Sequence, residues 1–284
     1  MTANKLPKII DLEITNNCNF NCIFCPREHM ERKKGFMSLE ILKSIVDKFD
    51  FVQAYALSGL GEPLLHPKIK EIIHLIKSFE KVLIINTNGS LLTKNLTNVF
   101  IKENVDGIII SVPSVDKETF YKLRRGNSVK VTENIINCYE LAKSSNTKIS
   151  IQITPVKKNI TEIENILNYF RKIGIKSFIL NRKVNRSGLL ASELYLEEML
   201  ALPQKYPGLN IKIDTCTATD NTCIAYIFLC ISYEGDVLPC SNCLIKKEIS
   251  FGNIDDIEID VLSDKYNEFI GNISEIELCK KCDI

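Results

Sequence analysis

Neither sign of charge prevails in this chain: 36 Lys and Arg stand against 35 Asp and Glu, a net charge of +1 over 284 residues. Such a balance gives no electrostatic reason to expect nucleic acid or an anionic membrane as a partner. Long hydrophobic runs are missing too. The longest, such as 107-GIIISV-112 and 224-IAYIFLCI-231, are far too short to cross a bilayer. The N-terminal MTANKLPK has no apolar stretch of signal-peptide type and leads straight into a strand-like segment. A cytoplasmic protein is therefore expected. Gly and Pro number only 12 and 9, with no low-complexity linker and no internal repeat.

What is present is ordinary in bulk and unusual in one residue type. Apolar residues make up 45% and charged residues 25%, as in a soluble globular protein long enough to bury a large core. Eleven cysteines are the exception. In a reducing compartment they argue for metal or redox chemistry rather than a disulfide framework.

Short β-branched runs alternate with helical patterns, the signature of repeated β-α units and a parallel sheet. Strands are expected at 8-KIIDLEI-14, 54-AYALS-58, 81-KVLIIN-86, 107-GIIISV-112, 149-ISIQIT-154 and 177-SFILN-181. A helix should start at Ser38 as N-cap, and another after Pro67, with Ile69, Ile72, Ile73 and Ile76 on one face. Thr161-x-x-Glu164 has the form of a capping box. Six such units suit an open, partial barrel rather than a closed one of eight. After Gly188 cysteines cluster, helical periodicity fades and a hairpin-like stretch appears at 225–239. The division expected is 1–205 for the barrel and 206–284 for a smaller cysteine-rich domain, with the boundary near 190–210.

The polar motifs all fall just after strands, where a barrel carries its active site. Three cysteines follow the first strand, in 17-NCNFNCIFCPREHM-30; Gly61-Glu62-Pro63 follows the second and Thr87-Asn88-Gly89 the third. Ser111 ends the fourth, Gln152 and Thr154 the fifth, and 181-NRKVNRSG-188 follows the sixth. Cys18, Cys22 and Cys25 are spaced C-x3-C-x2-C with no fourth cysteine nearby. Four thiolates close the shell of a cubane iron–sulfur cluster, so three leave one iron open to a substrate or cofactor. Catalytic metal sites keep a position vacant in the same way, whereas structural sites do not. A zinc site completed by His29, or plain buried cysteines, is the blander reading of the same residues.

Cys18, Cys22, Phe24 and Cys25 match the CxxxCxΦC signature, and the chain here resembles the radical S-adenosylmethionine (SAM) enzymes. The resemblance implies a [4Fe–4S] cluster whose open iron is chelated by SAM. It also implies one-electron cleavage of SAM to methionine and a 5′-deoxyadenosyl radical that abstracts hydrogen from substrate. Gly61 and Glu62 resemble the family motif that contacts the SAM amino group, although Leu60 stands where a first Gly often sits. Ser111 and Arg124 or Arg125 resemble the residues that hold the SAM carboxylate and ribose. Arg186, in 185-NRSG-188, resembles a contact after the sixth strand. A flavodoxin or ferredoxin as reductant is a further implication.

The C-terminal third holds Cys216, Cys223, Cys230, Cys240, Cys243, Cys279 and Cys282. On spacing alone, Cys240-x-x-Cys243 with Cys279-x-x-Cys282 has the form of a four-cysteine zinc ribbon. A non-enzymatic zinc-ribbon binding protein on a degenerate barrel is the reading from another class. The other reading comes from resemblance to the auxiliary-cluster domains called SPASM and their shorter twitch variants. There Cys223, Cys240, Cys279 and Cys282 would bind an auxiliary [4Fe–4S] cluster, with Cys243 an alternative to Cys223 and Cys216 unplaced. Cys230 and Cys138 read as core. The expected enzyme is an oxidoreductase that dehydrogenates a small aminocyclitol- or sugar-like molecule. Its alternative is a maturase acting on a ribosomally made peptide. No residue singles out the substrate or a general acid or base.

Overall fold

A computed structural model describes residues 6–181, 196–213 and 223–280. These form two compact units that interleave along the chain. The first comprises 6–19, 26–85 and 223–280; the second comprises 20–25, 86–181 and 196–213.

In the first unit β1 (Ile9–Leu12), β2 (Ala54–Leu57) and β3 (Val82–Thr87, in this unit up to Ile85) are parallel neighbours, with Ile9 opposite Ala54 and Ala54 opposite Val82. The hairpin expected at 225–239 is β8 (Phe228–Ile231) and β9 (Asp236–Leu238), followed by β10 (Gly252–Asn253). It is no separate appendage. β8 lies parallel to β1, Asp11 opposite Cys230, so the C-terminal segment extends the first unit's own sheet. Helices α1 (Leu39–Lys48) and α2 (Ile69–Ser78) connect the strands. Ser38 caps α1, its Oγ accepting from Ile41 N at 3.1 Å, and Ile69, Ile72, Ile73 and Ile76 form the buried face of α2.

In the second unit β4 (Gly107–Ser111), β5 (Lys148–Ile153), β6 (Ser177–Leu180) and β7 (Asn210–Ile213) run parallel in that order. β7 extends the expected set of strands: Asn210-Ile-Lys-Ile213 alternates polar and apolar residues too briefly to stand out. Helices α3 (Lys94–Lys102), α4 (Lys117–Arg124), α5 (Ser128–Ala142), α6 (Ile163–Ile173) and α7 (Leu196–Lys205) complete the unit. Cys138, on α5, is fully buried as expected. The capping box at Thr161 does not form. A 3-10 turn at Ile160–Glu162 delays α6, and the Glu164 carboxylate is taken by Lys205 Nζ and the Tyr206 hydroxyl, each at 2.6 Å.

Burial alternates along β2 to β6, whereas β1 and β8 are buried almost throughout. Tyr55, Leu57, Leu83, Ile85, Ile108, Ile110, Ile151, Ile153, Phe178 and Leu180 are almost wholly buried. Their neighbours Ser58, Ser111, Ser150, Gln152, Ser177 and Asn181 are only half-buried. Parallel strands between two helical layers read as continuous apolar runs; here one face of β2 to β6 is almost fully buried, and the other is more open and mixes polar residues with Val82, Ile84, Ile109 and Ile179. The C-terminal segment adds α8 (Ile259–Gly271) and α9 (Glu277–Lys280) to the first unit.

Candidate functional site

The cysteine triplet follows β1 and its two ends are held separately. In the first unit the segment before Cys18 is pinned by side chains. Thr15 Oγ1 donates to Gly35 O at 2.7 Å, and Asn16 Nδ2 donates to Lys33 O at 2.8 Å. Gly35 N donates back to Asn16 Oδ1 at 2.8 Å, and Asn17 Nδ2 donates to Gly35 O at 3.0 Å. In the second unit a turn closes Cys22 to Cys25, whose N–H donates to Cys22 O at 3.1 Å, and Ile23 N donates to Leu123 O at 3.0 Å. Phe24 is buried against Leu123 and Val156, and thus anchors the turn that carries Cys22 and Cys25. All three cysteines are half-buried.

Gly61 and Glu62 lie against the stretch just ahead of Cys18. Glu62 N donates to Asn17 O at 2.7 Å, and a Cβ on Gly61 would meet Thr15 O at 2.1 Å. Only glycine permits that approach of two backbones. Glu62 is 2% exposed, and its carboxylate accepts from Leu64 N at 3.2 Å, capping the short turn Pro63–Leu65.

The structure separates the two arginines at the end of α4. Arg125 adopts a left-handed backbone and its guanidinium lies over Tyr121, an exposed ring, at 5.7 Å. Arg124 is 3% exposed, and its Nη2 donates to Ser111 Oγ at 2.5 Å. Its Nε and Nη1 are buried without a hydrogen-bond partner. Buried guanidinium donors left unmatched are costly, and a bidentate acceptor such as a carboxylate satisfies them. The pair thus fits the carboxylate of an amino acid-like ligand.

Two buried groups escaped the reading of the sequence. Glu13, just past β1, has no side-chain exposure, and Arg32 Nη2 donates to both its oxygens at 2.9 and 2.6 Å. Burial pushes the Glu13 carboxyl up, against the opposing pull of Arg32. Arg32 Nε also donates to Leu244 O at 2.6 Å, and Tyr233, over which Arg32 lies at 5.7 Å, donates to Lys33 O at 2.8 Å. The loop after the cysteine triplet is therefore knitted to the hairpin and turn that carry Cys240 and Cys243. Polar residues at positions 11 and 13 of an otherwise apolar strand were the available signal; the partner, 19 residues on, carried none.

In the C-terminal segment Cys240 precedes a short 3-10 turn and Cys243 lies within it. Cys240 Sγ and Cys243 Sγ are 3.9 Å apart. Hydrogen bonding from Cys243, stronger than burial, holds the Cys240 thiol below its ordinary value, and the same contact with burial pushes Cys243 up. Burial pushes Cys279 up to about 11. Cys230 is wholly buried, as a core residue, beside Leu238, Cys243 and Leu244. None of the nine described cysteines is in a disulfide. Among the described residues no three His, Cys, Asp or Glu side chains are gathered tightly enough to hold a single metal ion. Arg186, Cys216 and Cys282 lie outside the described residues. Among the described residues no helix is long and apolar enough to cross a membrane.

Residues 12–178 match the radical SAM superfamily, and residues 223–283 match SPASM, an iron–sulfur cluster-binding domain. The chain is 24% identical to the tungsten-containing aldehyde ferredoxin oxidoreductase cofactor-modifying protein of Pyrococcus furiosus, over 82% of this chain and 70% of that one. In structure it resembles Streptococcus suis SuiB bound to the precursor peptide SuiA, with TM-score 0.79 and 16% identity. That likeness covers 98% of this chain and 70% of SuiB. It also resembles BtrN in complex with AdoMet and 2-DOIA, with TM-score 0.60 and 18% identity, covering 99% and 94%. These likenesses bear out the α/β fold, a partial barrel followed by a C-terminal SPASM domain.

Proposed function

Since the chain belongs to the radical SAM superfamily and carries a SPASM domain at its C-terminal end, we propose that it cleaves SAM reductively and uses the product to take hydrogen from a substrate. The family's cofactors are a [4Fe–4S] cluster, SAM and an auxiliary cluster. When bound, they supply one electron to a carbon–sulfur bond of SAM and a 5′-deoxyadenosyl radical to the substrate. In this reading residues 1–205 form the catalytic barrel and 206–284 the auxiliary domain. Cys18, Cys22 and Cys25 hold the first cluster; Cys223, Cys240, Cys279 and Cys282 hold the second.

The observation that carries the reading is Arg124. A buried guanidinium with two unmatched donors, tied to Ser111 at the end of β4, is suited to bind and orient the SAM carboxylate. Glu62, held by its own turn, is assigned the amino group, and Gly61 brings that turn against the backbone before Cys18. Arg186 is assigned a contact to SAM or substrate.

For the substrate, a peptide is the reading we favour over the small aminocyclitol- or sugar-like molecule that the sequence suggests. SuiB, the structure of higher TM-score, is seen with a precursor peptide; BtrN, with 2-DOIA, supports the second class. Oxidation is one of several outcomes open to either substrate. A low-potential flavodoxin or ferredoxin is the proposed reductant.

The test is anaerobic reconstitution followed by reduction with dithionite in the presence of SAM. Methionine and 5′-deoxyadenosine should form in the wild type and not in Cys22→Ala. Deuterium carried into 5′-deoxyadenosine from labelled peptides, but not from labelled aminocyclitols, supports the peptide reading. The reverse pattern overturns it in favour of the small molecule.

A further inference from the structure

Five cysteines of the C-terminal segment are described, and the proposed ligand set leaves Cys243 without a task. Its position is specific. Cys243 ends the C-x-x-C of a 3-10 turn, Ser241–Leu244, in which its own N–H donates to Cys240 O at 3.1 Å. The side chain is 2% exposed and packs with Cys230, Leu238 and Leu244 in an apolar cluster. Its sulfur is nonetheless 3.9 Å from that of Cys240. Either sulfur can be the donor in that contact.

We propose that Cys243 is a positioning residue rather than a ligand: with Cys240 bound to iron as a thiolate, which can only accept, the buried S–H of Cys243 donates to it and raises the reduction potential of the auxiliary cluster. The physical reason is charge. Reduction adds an electron to a cluster already wrapped in thiolates. A donor that draws density from one of those sulfurs stabilises the reduced form more than the oxidised one. An apolar surrounding strengthens the effect, because no water competes for the sulfur. The Arg32 hydrogen bond to Leu244 O ties down the same turn.

The inference rests on Cys240 being a cluster ligand. The test uses the full-length protein with Cys18, Cys22 and Cys25 replaced by Ala, so that only the auxiliary cluster is read. In that background Cys243→Ala, Cys243→Ser and Cys240→Ala are reconstituted anaerobically. Iron and sulfide per chain are counted, and the midpoint potential is followed by electron paramagnetic resonance. Both Cys243 variants should keep the parent's iron, about four per chain. The Ala variant should titrate at a lower potential than the parent, while the Ser variant, whose hydroxyl still donates, should lie nearer to it. Loss of iron in both Cys243 variants would make Cys243 a ligand and overturn the proposal. A midpoint unmoved in Cys243→Ala would overturn it as well. Cys240→Ala should lose the cluster; if it keeps its iron, the ligand assignment itself fails and takes the inference with it.

Discussion

Arg32 and Glu13 are almost wholly buried as an ion pair, and breaking such a pair leaves an uncompensated charge in the interior. Arg32→Met alone should lower the stability of the protein by about 3–5 kcal/mol in anaerobic urea unfolding. Replacing both partners, Glu13→Leu with Arg32→Met, should recover much of that loss, since two apolar side chains leave no charge behind. A double variant as unstable as the single one would mean that the hydrogen bond to Leu244 O, not the pair, matters most. Arg124 calls for a different readout. Arg124→Lys keeps the charge but loses the planar fork, so SAM should bind more weakly by roughly 10- to 100-fold, about 1.4–2.8 kcal/mol. Fold stability should change little, because two of the donors removed have no partner within the protein. SAM affinity unchanged in the lysine variant would count against the assignment.

The loops and turns that present these residues make their own predictions. Gly61→Ala would drive a methyl into Thr15 O, and the loop must move to relieve it. A loss of about 1–3 kcal/mol is expected, together with weaker SAM binding, since Glu62 moves with the loop. His66, one turn further on, is buried and neutral: Lys68 N donates to its Nδ1 at 3.1 Å, and its Nε2 donates to Met37 O at 2.9 Å. Burial, ahead of the opposing hydrogen bond to Met37, holds its value below the ordinary one for histidine. The unfolded chain takes up a proton below about pH 6.5 that the folded chain resists. Stability should therefore be full above that pH and fall as the pH drops towards the lowered folded value. In unfolding measured from pH 7.5 downwards, His66→Gln should remove that part of the decline.

Much at this scale was legible in the sequence. The six runs rich in Ile, Leu and Val became β1 to β6, and every polar motif that the structure describes ends a strand or follows one along the chain, because period and punctuation are local signals. What was not legible depends on distant partners. β7 is four residues long and, among the described residues, pairs with β6 alone. Glu164 prefers Lys205 and Tyr206, some 41 and 42 residues away, to the local cap. The choice of Arg124 over Arg125 hangs on the chain reversing at a left-handed residue, and a sequence of two adjacent arginines gives no sign of it. The pairing of β8 with β1, which draws the C-terminal cysteines into the first unit, is longer in range still.

At the scale of the whole molecule, the proposed function gives two thiol sets two purposes: three cysteines after β1 would leave an iron for SAM, and a second set in the SPASM domain would close its cluster completely. A zinc ribbon on Cys240, Cys243, Cys279 and Cys282 would use the same residues differently. Iron and zinc per chain after anaerobic reconstitution separate the two most directly, measured in the wild type and in the protein with Cys18, Cys22 and Cys25 all replaced by Ala. Two cubanes predict about eight iron and no zinc, falling to about four when the triplet is removed. About four iron with one zinc in the wild type, and zinc alone once the triplet is gone, would contradict the account.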